Sequence, residues 1–249
     1  MASIPLTLNL ALVESALQLI PTEIQAHPQI KKYAARRMKR PSEVLLDRAF
    51  HHTAMQKLAQ KRFRLPVEKM GRPDIVHTTL LQILETPLNW ENHLRVFVHT
   101  QDDYVISVNP KIRLPKNYVR FVGLLEQLFA NKQVPERGIP LMKLEKGTVQ
   151  NLIARIQPGQ VLGFSTMGHP TLMRTAAKDA SEIADPLIFI GGFPRGHFSN
   201  ETSRSIHSTF KVDRQSLDAW VVAGRFVYDF EWAISLAQRR IKPEKDGHD

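Results

Sequence analysis

The chain contains no cysteine in 249 residues. Disulfides, zinc-thiolate centres and any mechanism that needs a cysteine nucleophile are thereby excluded. Long apolar runs are also missing. The run from Leu6 to Val13 is too short to cross a bilayer, is stopped by Glu14, and has neither the basic lead nor the cleavage site of a signal peptide. A cytosolic (cytoplasmic) protein with no membrane partner is the default expectation. No G-x-G-x-x-G occurs, which removes the dinucleotide fingerprint, and no H-E-x-x-H occurs, so no metal site is expected; His51 and His52 are adjacent and would point apart on a helix. Repeats of fixed period and low-complexity tracts are absent too. Acidic residues are the scarcer charge, 24 against 34 Lys and Arg, for a net charge of +10. That balance favours a polyanionic partner such as nucleic acid.

What is present suits a folded protein with a sizeable core, since 43% of the residues are apolar. Leu6, Leu8, Leu10 and Leu12 alternate with Thr7, Asn9 and Ala11, the period of a first strand. Residues 28–40, PQIKKYAARRMKR, carry six basic residues in the last ten and read as a helix closed by Pro41, with Ser42 capping a second helix to about Arg62. The basic helix is either an RNA-backbone contact or a solvated face. Residues 72–87 read as a helix opened by a proline and an acid, and LRVFVHT and YVISV flank Gln101, Asp102 and Asp103 as a hairpin. Helices follow at residues 117–130 and 148–156. The last third alternates strand and helix signals: VLGFS, a helix near Thr171 to Ala180, LIFI, a loop, STFKV, and a long helix from Ser216, before a tail, KPEKDGHD, that reads as frayed. Such alternation predicts an α/β sheet with crossover helices. The final helix is apolar nearly all round from Trp220 to Phe230, which suits a subunit interface or a central core helix.

One loop needs separate treatment. In IFIGGFPRGHF, residues 188–198, Gly191 and Gly196 stand five apart as in a P-loop, but His197 and Phe198 occupy the places of the Lys and Ser/Thr that such a loop needs. A triphosphate site is excluded. A ligand at this strand end would be held mainly by main-chain groups, with glycine permitting close approach.

Taken together, GRPDIVHTTLLQILETPLN, VNPKIRLPKNYVRFVGLLEQL, IFIGGFPRGHF and the Trp- and Val-rich last helix resemble the Emg/Nep family of ribosome-biogenesis methyltransferases, over nearly the whole chain. The resemblance implies a SPOUT-class α/β fold with a parallel sheet, a C-terminal trefoil knot and a homodimer. It implies one domain over 1–249, with 28–70 a basic helical insertion and 94–116 a hairpin and loop extension. It also implies S-adenosylmethionine as cofactor and N1 of a pseudouridine in small-subunit rRNA as target. The matching cofactor positions are Phe164, Ser165, Gly191, Gly196, His197, Phe198, Val212, Asp213, Arg214, Gln215, Ser216 and Leu217. Arg72 matches a substrate-contacting arginine and Asp74 the acid that steadies it, although a capping Asp74 beside a solvated Arg72 is the plainer reading. Arg113, Lys116 and Arg120 match RNA-contacting positions. Lys116 stands where the family pattern leads one to expect arginine, and so loses bidentate phosphate geometry. His77 reads as a core or surface histidine rather than one facing a base. Methylation at C5 of a pyrimidine generally needs a cysteine adduct, whereas an imide-like nitrogen does not. Two further roles stay open: an rRNA-binding assembly factor without catalysis, and a SPOUT enzyme acting on tRNA.

Overall fold

The computed structural model describes residues 7–60 and 66–241. Leu6, Arg62 and the tail after Ile241 lie outside the described residues. Eight strands form one sheet: β1 (Leu8–Ser15), β2 (Leu94–Thr100), β3 (Tyr104–Val108), β4 (Gln133–Val134), β5 (Met142–Lys146), β6 (Val161–Pro170), β7 (Leu187–Gly191) and β8 (Ser208–Lys211). Their order is β4-β5-β3-β2-β1-β7-β6-β8. From β2 to β8 neighbouring strands run parallel, whereas β3, β5 and β4 pair antiparallel. The sheet is therefore mixed, not parallel throughout. A three-residue turn between β2 and β3, with Asp103 at φ 55°, leaves no room for the crossover a parallel pair needs.

Every residue of β1 is buried, including Asn9 and Ala11 on the face opposite the leucines. The cause is its position: β2 and β7 flank it and helices cover both sheet faces. The helices are α1 (Thr22–Gln25), α2 (Pro28–Arg36), α3 (Arg48–Gln60), α4 (Pro73–Leu84), α5 (Pro87–Trp90), α6 (Tyr118–Asn131), α7 (Val149–Ile156), α8 (Met173–Ser181), α9 (Asn200–Arg204), α10 (Ala219–Ala233) and α11 (Leu236–Ile241). Residues of α4, α6, α8 and α10 share the main core with Leu8, Leu10 and Leu12, while Val149 and Leu152 of α7 pack with Ala11, Val13 and Phe189. Residues between Ile20 and Met70 hold a separate apolar cluster around Ile30, Leu46 and Leu58.

Three boundaries differ from the sequence reading. Ser42 lies in a single 3-10 turn, Pro41–Glu43, and caps no long helix. Residues 44–46 stay extended because they pair with 18–20: Ile20 N–H donates to Val44 O and Leu46 N–H to Gln18 O. The next helix starts at Arg48, where the Asp47 carboxylate accepts the Ala49 N–H at 2.8 Å. The basic helix ends at Arg36, after which Met38 adopts φ 53° and the chain turns back. The last long helix begins at Ala219 with Asp218 as its N-cap residue, leaving Ser216 and Leu217 in a loop. Its buried face includes Val222, Phe226, Val227 and Phe230, and Tyr228 and Trp232 remain 64% and 53% exposed on the other.

Candidate functional site

The parallel strands end at one rim of the sheet, and the loops that follow β6, β7 and β8 meet there. Ligand clefts in open α/β sheets form at such carboxyl ends. The loop after β7 fixes the geometry. Gly192 N–H donates to Val13 O and Gly192 O accepts from Ala16 N–H, so the β1–β7 ladder runs on into the turn. A Cβ at Gly192 would lie 2.8 Å from Ser15 Cα, a clash with backbone. At Gly191 the nearest atoms such a Cβ would meet belong to the Phe193 ring, at 2.8 Å. Gly196 has φ +93°, which only glycine adopts freely.

These turns line an open cleft together with Phe164, Ile190, the stretch Phe193 to Phe198 and the stretch Ser216 to Trp220. A contiguous depression lies between β6 and the loop after β8, bounded by Phe210, Val212, Asp213 and Gln215. Phe164, Ser165, Ser216 and Leu217 border both parts. Ser165 lies where β6 bulges away from β8 between Phe164 and His169, which opens the edge of the sheet.

The expected cofactor residues divide accordingly. Gly191, Gly196, His197 and Phe198 line the first part, Val212, Asp213 and Gln215 the second, and Phe164, Ser165, Ser216 and Leu217 both. Arg214 is exposed and lines neither. Phe193, Asp218 and Trp220 also border the cleft and were not anticipated. Asp218 and Trp220 were hidden because the sequence starts the helix at Ser216, whereas Asp218 is its N-cap residue and Trp220 lies in its first turn, at the edge of the cleft.

Arg72 stands on the rim of this cleft, at the N-cap position of α4. Its Nε and Nη2 donate to Asp74 Oδ1 and Oδ2 at 2.8 and 2.7 Å, a two-point pairing that fixes the guanidinium plane. The Asp74 hydrogen bonds, opposed by partial burial and helped by the charge of Asp74, hold Arg72 more firmly protonated than a free arginine. Arg72 and Asp74 are about one-third and two-fifths exposed, at 34% and 42%, so the pair can be reached from outside.

Arg113 and Lys116, on the loop before α6, and Arg120, in its first turn, are all exposed. His77 is buried and joins this segment to α4. Its Nε2 lies 2.8 Å from Pro115 O, and a carbonyl can only accept, so Nε2 carries the proton. The ring also stacks on Phe121 with 4.2 Å between centroids. The basic run behaves differently. Arg37 and Lys39 both bond to Glu126, whose side chain is fully buried, and Arg40 pairs with Glu43, leaving Lys31, Lys32 and Arg36 exposed. His51 is buried with Nδ1 accepting the Asp47 N–H at 3.0 Å; burial, with Arg37 nearby, pushes it down to about 4.

A mixed sheet with a cleft between glycine-bearing turns at its parallel strand ends, and a braced arginine on the rim, defines an α/β protein with a cleft of the kind that takes a small ligand. The family model described as EMG1/NEP1 methyltransferase matches residues 10–231. The chain belongs to that family. It is 41% identical over 228 residues to the "Ribosomal RNA small subunit methyltransferase Nep1" of Thermococcus onnurineus, covering 91% of this chain and 100% of that protein. With the protein of the same name from Pyrococcus furiosus it shares 39% identity, covering 91% and 97%. The solved structure of Archaeoglobus fulgidus Nep1 bound to S-adenosylhomocysteine is similar, with a TM-score of 0.79, 33% identity, and coverage of 92% of this chain and 99% of that one.

Proposed function

We propose that the protein is an S-adenosylmethionine-dependent methyltransferase acting on N1 of a pseudouridine in small-subunit rRNA. The observation that carries the reading is that Arg72 shares one cleft with the turns at Gly191 and Gly196 and with the Ser216–Trp220 wall. The residues suit the cofactor. Phe164, Ile190, Leu217 and Trp220 offer apolar surface for a flat ring, and the glycine turns let main-chain polar groups approach closely. The relatives' names and the S-adenosylhomocysteine in the Archaeoglobus structure support the same assignment.

S-adenosylmethionine supplies a methyl group already activated by its sulfonium, so the protein's work is to align a nitrogen nucleophile and ease loss of its proton. Arg72, oriented by Asp74, stabilises negative charge on the ring carbonyl as the N1 proton leaves. No side chain on the rim is assigned as general base, and the proton passes to water or to the rRNA. The target base is splayed out of its loop, as single-stranded recognition requires. Arg113, Lys116 and Arg120 hold the backbone near α4, to which His77 ties their segment.

The finer architecture belongs to the same proposal. β8 returns to pair with β6 on the side away from β7, and the chain then passes the cleft into α10, a path that suits a trefoil knot. Tyr228, Trp232 and Leu172 are exposed apolar side chains on α10 and at the start of α8, which suits a homodimer. We place it in the cytoplasm because that is where such an rRNA substrate is met in a compact, archaeal-type protein. Methyl transfer from labelled cofactor to RNA hairpins with uridine or pseudouridine at the target tests the reading. Transfer to the pseudouridine hairpin alone is expected; equal transfer to both, or transfer confined to tRNA, overturns it.

A further inference from the structure

The loop that walls the cleft is held from behind by two charged groups that line no part of it. Glu14 stands at the end of β1 with φ 51°, a left-handed conformation for a residue with a side chain, and is 8% exposed. Its N–H donates to His99 Nδ1 at 3.3 Å and its carbonyl accepts from Gln101 Nε2. That backbone turn aims the carboxylate at the loop after β7. Oε1 accepts the Ser199 N–H at 2.7 Å, and Oε2 accepts from Lys69 Nζ at 3.0 Å. Burial pushes the Glu14 carboxyl up, but hydrogen bonds from Thr202 and Ser199 and the charge of Lys69 hold it below the usual carboxylate range.

Lys69 does more than neutralise Glu14. Its Nζ also donates to the His197 carbonyl and lies 4.1 Å from the centroid of the Phe193 ring. Phe193 is the ring that sits against Gly191. The ammonium therefore touches the cleft-walling loop at both ends, while Glu14 fixes the residue where α9 begins. Gln101 Nε2 secures the Lys69 carbonyl at 2.8 Å, and three residues on comes Arg72, whose N–H donates to Ala16 O. One short segment thus joins the donor side of the cleft to the arginine on its acceptor side.

We propose that Lys69, through its pair with Glu14, is a positioning residue that sets the 193–199 loop for S-adenosylmethionine and fixes that loop relative to Arg72. This rests on the function proposed above. Lys69 and Glu14 line a separate polar depression, with His99 and Thr202, and so act through the loop. Two burials decide the matter physically. The Lys69 and Glu14 side chains are only 12% and 11% exposed, and an ion pair so enclosed is costly to break from either side.

The test uses the full-length protein and S-adenosylmethionine titrated calorimetrically, with a target RNA hairpin titrated in parallel. Lys69→Met keeps the aliphatic stem but removes the charge. E14Q is close to isosteric, and the K69M/E14Q double variant leaves neither charge unpaired. In whichever of the three folds, the cofactor Kd is expected to rise at least tenfold while the hairpin Kd changes less than about twofold, and K69R is expected to recover part of the loss. A lower melting temperature is expected in K69M and E14Q in either case; a purely structural role would weaken both ligands together, and that result overturns the proposal. So does a folded K69M/E14Q protein that binds the cofactor as the wild type does. Wild-type protein with no affinity for S-adenosylmethionine would overturn the function reading itself, a distinct outcome.

Discussion

Asp74 and Gly192 show how exposure decides what a single residue does. Asp74 makes a two-point bond to Arg72, yet both partners are open enough for water to screen them, and such pairs contribute about 0–1 kcal/mol to folding. From sequence alone, loss of Asp74 would harm folding and binding alike. With the pair at the rim, Asp74→Ala is expected to lower kcat/KM by releasing the Arg72 rotamer, with the melting temperature nearly unchanged; Arg72→Ala should cost about 3 kcal/mol of transition-state stabilisation in the same assay. Gly192 is the reverse case. A methyl there meets the Ser15 backbone, so Gly192→Ala should destabilise by about 1–3 kcal/mol in a urea titration. A bulky residue at Gly191 should instead abolish cofactor binding and spare RNA affinity, because the obstacle there is a ring facing the cleft. His51 carries part of the pH dependence, beside His99, which burial also holds below the ordinary histidine range. The folded value of His51, near 4, lies below the ordinary 6.5, so between those values the unfolded chain binds more protons. Stability is complete above about pH 6.5 and falls as the pH drops towards 4. The melting temperature should decline across that window, and His51→Asn, which keeps an acceptor for the Asp47 N–H, should flatten the decline.

At the scale of elements, the basic run and α6 exchange the roles their sequences suggest. Two of the run's six basic residues are structural: Arg37 reaches Glu126 at 2.6 and 2.8 Å and Lys39 at 2.6 Å, and the same carboxylate accepts the Leu45 N–H at 3.1 Å. Glu126 sits on the otherwise apolar buried face of α6 and anchors the 37–45 segment. Removing one partner of a buried ion pair costs about 3–5 kcal/mol. Glu126→Ala should fall near the lower end, since Arg37 and Lys39 are partly exposed and can rehydrate, and hydrogen exchange should speed up in α2 and residues 44–46. No pattern of spacing reveals this pairing, because 81 to 89 residues separate the partners. The period of α4, by contrast, is plain in the sequence, and its proline and acid mark its start at Pro73.

For the molecule as a whole, net charge sets affinity and the cleft sets chemistry. A chain of +10 attracts RNA of any sequence, so binding should weaken steeply with salt. Each phosphate contact on a single strand adds about −0.7 to the slope of log K against log salt. Arg113→Ala and Arg120→Ala should each reduce the slope by about that much while leaving the cofactor Kd unchanged, and Arg37→Ala should leave the slope as it was. The measurement separates the arginines proposed to meet RNA from one that meets Glu126.

The sequence by itself determined the α/β class, a first strand around the leucines up to Leu12, the hairpin around Gln101–Asp103, the exclusion of a P-loop and of cysteine chemistry, and, through its long motifs, the family. Those are local or additive properties, carried by periodicity, residue type and charge. Only the tertiary structure decided that β1 is buried on both faces, that β5 and β4 extend the hairpin as further antiparallel strands, that the N-cap and first turn of α10, with Asp218 and Trp220, border the cleft, and that Lys69 and Glu14 meet behind the loop at His197. Each depends on which segments lie side by side, and burial and charge pairing between residues 55 to 185 apart leave no mark on local sequence.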